Sequence, residues 1–199
     1  MKHLLALLCL LGCFSTTGNC TETGGQILTQ VAQRLVVATS LQGQFRQEKH
    51  LAFLHKPFVS VGEFSVDRSA GLRWQVLEPL ASLMVVSGSE VLLDGKPVDD
   101  HGVGQLMGLI MFGLMEGRLD TVTEYFSITG DISTSHWRLS LAPRSSWLRS
   151  ALKHIELRGD SYLREIEIFE RDDNRTVIVL SGLRTFNADN ASVHASSPP

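Results

Sequence analysis

Asp99, Asp100 and His101 stand side by side in this 199-residue chain, and all three are of types that can hold a metal ion. Adjacent residues on a loop cannot easily converge on one ion, so the trio reads as a solvated turn. His50 and His55 are the next close pair. They fall within or just after one strand, where alternation of side chains sends them to opposite faces. Asp172-Asp173-Asn174, between two strands, is turn chemistry. There is no Gly-x-Ser-x-Gly elbow, no His-Glu-x-x-His and no phosphate-binding glycine loop. Cys9, Cys13 and Cys20 all lie in the first twenty residues, so the domain beyond them has neither a catalytic thiol nor a disulfide. No reactive constellation emerges. A binding protein is expected, without metal or cofactor, and not an enzyme.

Charge narrows what it could bind. Lys and Arg together number 18 against 21 for Asp and Glu, a net charge of −3, so the basic footprint of a nucleic-acid binder is missing. The apolar residues say more. Val103 to Met115 holds nine large apolar residues in thirteen, among them Met107, Met111 and Met115, and Gln105 is its only strongly polar member. One reading is a helix that plugs a core; the other is a mobile lid over an apolar cavity. Methionine is flexible and polarizable and serves surfaces that adapt to variable apolar shapes. Gly104, Gly108 and Gly113 each weaken a helix by about 1 kcal/mol relative to Ala, which keeps the segment deformable.

The elements that must position such a segment are mostly strands. Gly25 to Thr39 predicts a helix, because Ile27, Leu28, Val31, Leu35 and Val36 recur at three- and four-residue steps, and Ser40 to Gly43 ends it. Strand patterns follow at 45–53, 58–66, 72–76, 83–86, 91–93, 125–129, 137–141, 154–157, 162–169 and 176–180. Asp94-Gly95 is a favoured hairpin turn, since both residues tolerate positive φ. Short turns and not helices join these runs, so a meandering antiparallel sheet is expected rather than a parallel α/β fold. A sheet of about ten strands curls, and its concave face is either filled by side chains or left open for a ligand. Acyl cargo suits such a face, because each buried methylene contributes about 0.8 kcal/mol.

The first twenty residues stand apart from this pattern. Lys2 precedes an unbroken apolar run from Leu4 to Leu11, then small and polar residues, which is the order of a secretory signal. The run is too short to span a bilayer, which needs about 20 apolar residues. Removing residues 1–20 would take the net charge from −3 to −4. Leu10-Leu11-Gly12-Cys13 also resembles a lipobox, so two outcomes stand open: acylation at Cys13, which would tether the chain, or ordinary cleavage near residues 15–20. Residues 21–186 form the domain, and 187–199, rich in Asn, Ala, Ser and Pro, read as a disordered tail.

The motifs in order carry a family resemblance. After the helix come Leu41-Gln-Gly-Gln-Phe45-Arg-Gln47, Ser60-Val-Gly62-Glu-Phe64, Gly71-Leu72-Arg-Trp74-Gln75 and Pro79, then Val86-Ser-Gly88 and Asp94-Gly95. Phe126, Trp137-Arg-Leu139-Ser-Leu141-x-Pro143 and the run from Ile155 to Asp160 extend the match over most of 26–186. The chain resembles the outer-membrane lipoprotein carrier proteins (LolA-like). The resemblance implies a mainly β fold (α+β): an incomplete antiparallel β-barrel of about eleven strands with a helical lid. It implies a periplasmic monomer that takes acylated lipoprotein or lipid-like cargo from an inner-membrane donor transporter to an outer-membrane acceptor. The family's functional arginine, which couples the lid to cargo transfer, falls on Arg68. Ser69 stands where the family often has proline, and a plain surface arginine is the other reading.

The cargo-binding cavity is expected to use Phe45, Phe64, Leu72, Trp74, Met84, Ile166 and Ile168 from the strands, and Leu106, Ile110, Met111 and Leu114 from the lid segment. Any of these could instead be ordinary core. The lid is more apolar than the resemblance alone implies, which points to a divergent member and to glycolipid or pigment-lipid cargo as an option. A lipid-sensing or membrane-anchored module of the same fold, without shuttle activity, is the alternative.

Overall fold

Period-two alternation of apolar and polar residues dominates the chain, and each such run becomes a strand. The computed structural model describes residues 24–36, 38–88, 90–98, 110–111, 113 and 120–186. Eleven strands form one antiparallel sheet: β1 Ser40–His50, β2 Phe58–Asp67, β3 Gly71–Glu78, β4 Ser82–Ser87, β5 Glu90–Leu93, β6 Lys96–Pro97, β7 Phe126–Ile132, β8 Trp137–Pro143, β9 Leu152–Gly159, β10 Leu163–Glu170 and β11 Arg175–Phe186. Among the helices whose bounds fall within the described residues are α1 Gly24–Arg34, α2 Asp120–Tyr125 and α3 Ser146–Ala151.

Neighbours in sequence are neighbours in the sheet, with one exception. The strand order is β6-β5-β4-β3-β2-β1-β11-β10-β9-β8-β7, so β1 pairs with β11 and splices the two meanders together. β6 and β7 are the edges and do not pair, which leaves the sheet an open, incomplete barrel. The edge at β6 is blunt, two residues long and ending in Pro97, whose nitrogen has no hydrogen to offer a further strand.

Ten of the strands overlap the runs the sequence pattern places, with ends shifted by up to six residues, as at β1 and β11; β6 is the one the pattern does not show. It exists because Asp94 and Gly95 both take positive φ, 50° and 77°, and fold Lys96 back against Leu93. The N-terminal helix ends earlier than its periodicity predicts, at Arg34 and not Thr39. Val36 leaves the helix and donates its amide to Ser161 O at 2.9 Å, a bond available only off the helix, and β-branched residues give little up in leaving. The predicted exit segment Ser40–Gly43 is consequently the start of β1.

Helix α1 packs on β7 through Ile27, Leu28 and Val31, which join the buried cluster of the sheet's inner face. The expected tail at 187–199, the signal segment and most of the Met-rich segment lie outside the described residues.

Candidate functional site

Register decides which side chains share a face, and the inner face reads off it strand by strand. Leu93, Met84, Trp74, Phe64 and Gly43 are successive partners across β5 to β1. Ile178, Ile166, Leu157, Leu139 and Gly130 continue the same surface across β11 to β7. A parallel row runs from Ile168 through Ile155 and Leu141 to Ile128. Ten of these fourteen are buried and belong to a single apolar cluster, against which Met84 packs half-buried, while Leu93 and Gly130 at the two ends are exposed.

An aromatic stack marks the middle of β1–β3. Phe45 is paired with Gly62, and Gly43 with Phe64, so each ring faces a strand position that has no side chain. Phe45 crosses over Gly62 and stacks on Trp74 of the strand beyond, centroids 3.8 Å apart and planes 19° apart. A Cβ on Gly62 would lie 2.6 Å from Phe45 Cζ and 2.0 Å from Gln75 O, so glycine is the residue that permits the crossing. Phe64 flanks the same indole at 5.7 Å. Such stacks contribute about 0.5–1.5 kcal/mol beyond the area they bury.

Of the residues expected to hold cargo, Phe45, Phe64, Leu72, Trp74, Ile110, Met111, Ile166 and Ile168 are buried and brought into this one cluster, with Met84 against it. Leu106 and Leu114 lie outside the described residues. Ile110 and Met111 are helical and 0% and 3% exposed, so this part of the apolar segment is seated on the inner face, as both plug and closed lid require. Arg68 sits exposed on the β2–β3 turn, its amide donating to Thr39 O. The turn is fixed by Asp67, whose Oδ1 accepts from Ser69 N, Ser69 Oγ and Ala70 N. Those bonds hold the Asp67 carboxyl below its ordinary pKa. Asp99–His101 lies outside the described residues; among the described residues no group of three potential ligands could hold a metal.

Several inner residues escaped the sequence reading, among them Val66, Val86, Phe126, Leu139, Leu157 and Ile178. Alternation in Leu139-Ser-Leu141 and Ile155-Glu-Leu157 was the available signal. The outer face of β9–β11 was missed too. Arg158 binds Glu156 at 2.6 Å, Glu165, and Glu167 at 3.3 Å, and Arg175 binds Glu167 at 3.0 Å. Burial alone would lower the Arg158 pKa, but Glu165 and Glu156 outweigh it and hold it raised.

An open antiparallel barrel whose inner face is lined by apolar side chains among the described residues has the architecture of proteins suited to sequestering hydrophobic groups. A model of the family described as outer membrane lipoprotein carrier protein LolA matches residues 37–193. The chain belongs to that family. It is 30% identical over 149 residues to a protein from Alkalilimnicola ehrlichii named outer-membrane lipoprotein carrier protein, covering 73% of this chain and 67% of the relative. Among solved structures it is similar to a LolA superfamily protein from Nitrosomonas europaea (8% identity, TM-score 0.45, covering 83% of this chain and 94% of that one). It is also similar to the MucA/MucB complex of Pseudomonas aeruginosa (14% identity, TM-score 0.41), covering 86% of this chain and 58% of that one.

Proposed function

We propose that this protein is a periplasmic carrier that holds the acyl chains of lipoproteins, or of lipid-like cargo, against the inner face of its open sheet. It would receive them from an inner-membrane transporter and deliver them toward an outer-membrane acceptor. Membership of the lipoprotein-carrier family supports the reading. The observation that carries it is the continuous apolar inner surface, centred on Phe45, Trp74 and Phe64, on a sheet that stays open between β6 and β7. Hydrocarbon needs only apolar area, and a chain of a dozen carbons would gain of order 10 kcal/mol before ordering costs. Release follows when an acceptor offers better apolar contact.

In this reading the segment bearing Leu106, Ile110, Met111 and Leu114 covers the site and yields to cargo. Arg68 couples that movement to transfer; its guanidinium makes no hydrogen bond or ion pair among the described residues and is available to do so. The lipobox-like Leu10-Leu11-Gly12-Cys13 favours a second form, anchored by acylation, that would accept or sense lipid without ferrying it. The intact mass of the processed N-terminus separates the two.

Binding of a fluorescent fatty acid to the purified protein, and release of a triacylated lipoprotein from spheroplasts by the same protein, test the carrier reading. Saturable binding with release into the soluble fraction is expected. Absence of both, with the protein folded, overturns it.

A further inference from the structure

Antiparallel pairing fixes which turns share an end of the barrel. The loops 51–57, 79–81, 94–95, 144–151 and 171–174 lie together at one rim; the turns after β2, β4, β7 and β9 lie at the other. Ten large apolar side chains are exposed among the described residues, and all but Val36, Val179 and Phe186 belong to that first rim. The β1–β2 loop carries Phe53 (78% exposed) and Leu54, with Phe58 at its exit. Leu77 and Leu80 (80%) bracket the β3–β4 turn. Leu93 stands beside the β5–β6 turn, and Trp147 projects from α3.

The charges around these tips are not balanced. Lys56, Lys96 and Arg144 are exposed and make no ion pair among the described residues. Glu170 pairs with Lys49 at 3.6 Å and Asp173 with Lys153. Asp94 and Asp172 accept only from neutral donors, the Leu83 amide and the Asn174 side chain, and keep their charge, as does Glu78. Against these three acids stand five cations without an ion pair among the described residues, because Arg149 and Arg171, bound only to backbone carbonyls, join Lys56, Lys96 and Arg144. The rim thus offers free cations although the whole chain is net −3.

We propose that this rim docks on an anionic lipid surface, with Phe53, Leu80 and Trp147 entering the headgroup region. Single apolar side chains on separate hairpin tips, interleaved with Lys and Arg, fit a soft planar interface, whereas a protein partner favours one contiguous patch. The proposal goes beyond cargo binding: it concerns where the carrier stands when it loads or unloads.

Trp147 reports on it directly, because Trp74 and Trp137 are buried. The full chain, exported and processed by its host, is mixed with vesicles of 3:1 phosphatidylethanolamine to phosphatidylglycerol, or of phosphatidylcholine alone. Sedimentation and quenching by brominated lipid are read. Binding to the anionic vesicles, weaker on phosphatidylcholine and at high salt, is expected, with Trp147 quenched. The double variant Phe53→Ser, Leu80→Ser should bind roughly tenfold less. The same variant should keep fatty-acid binding, which separates docking from the inner site. No vesicle binding by the parent protein, equal binding to both vesicle types, or undiminished binding by the folded variant overturns the proposal.

Discussion

Phe45 and Gly62 face one another across the β1–β2 ladder, and the ring passes over the glycine to reach Trp74. Gly62→Ala should therefore destabilise the protein by about 2–3 kcal/mol, because the new Cβ would press on Gln75 O and on the ring. Urea unfolding measures it. An unchanged midpoint would show that the strands part more easily than this packing implies.

Trp74→Ala deletes the centre of the stack. A loss of about 3–5 kcal/mol is expected from the transfer and cavity terms together. The same variant should weaken fatty-acid binding if the indole is part of the cargo surface. Stability lost with binding intact would assign Trp74 to core alone.

Met111 tests the segment that covers the inner face. Met111→Leu conserves volume and should cost less than about 1.5 kcal/mol while leaving acyl binding unchanged. Met111→Glu places a charge in an apolar site and should lower acyl binding by at least an order of magnitude. Should Met111→Ala carry ligand normally while Met111→Glu fails to fold, the segment is a plug and not a lid.

Arg158 joins three glutamates on the outer face of β9 and β10. Arg158→Met should destabilise by about 1–3 kcal/mol, since Glu156, Glu165 and the largely buried Glu167 would be left facing one another. Adding Glu165→Gln in that background should restore part of the loss. A double-mutant cycle reads the coupling.

Asp160 gives the pH dependence its sign. Burial raises its pKa, but Arg164 Nε at 3.0 Å from both oxygens and the Tyr162 amide outweigh that and hold it below its ordinary value. A depressed carboxylate stabilises the fold above its unfolded pKa of about 3.9 and loses that contribution as pH falls through the lower folded value. Near neutrality it amounts to no more than about 1 kcal/mol, because the pair is half in solvent. The difference between the parent protein and Asp160→Asn should be present at pH 7 and shrink below pH 4 in thermal unfolding.

Most strands were legible because β-branched and aromatic residues alternate with polar ones between turn formers, as in Phe58 to Val66. β6 was not, since two residues ending in proline carry no periodic signal and exist only through the turn before them. The end of α1 was hidden for a different reason: the amide of Val36 is taken by Ser161, far away in sequence. The expected inner residues on the strands came together because inner-facing positions are the apolar ones. The ion network around Arg158 stayed invisible, because which charges meet depends on the register of β9, β10 and β11, fixed by pairing and not by spacing within one strand.

The splice between β1 and β11 sets an order of events. A chain supplied from its N-terminus can zip β1 through β6 early, since each hairpin is local, but one flank of β1 stays bare until the last strand arrives. The first half of the barrel must therefore wait for β11 before its inner surface is sealed along that seam.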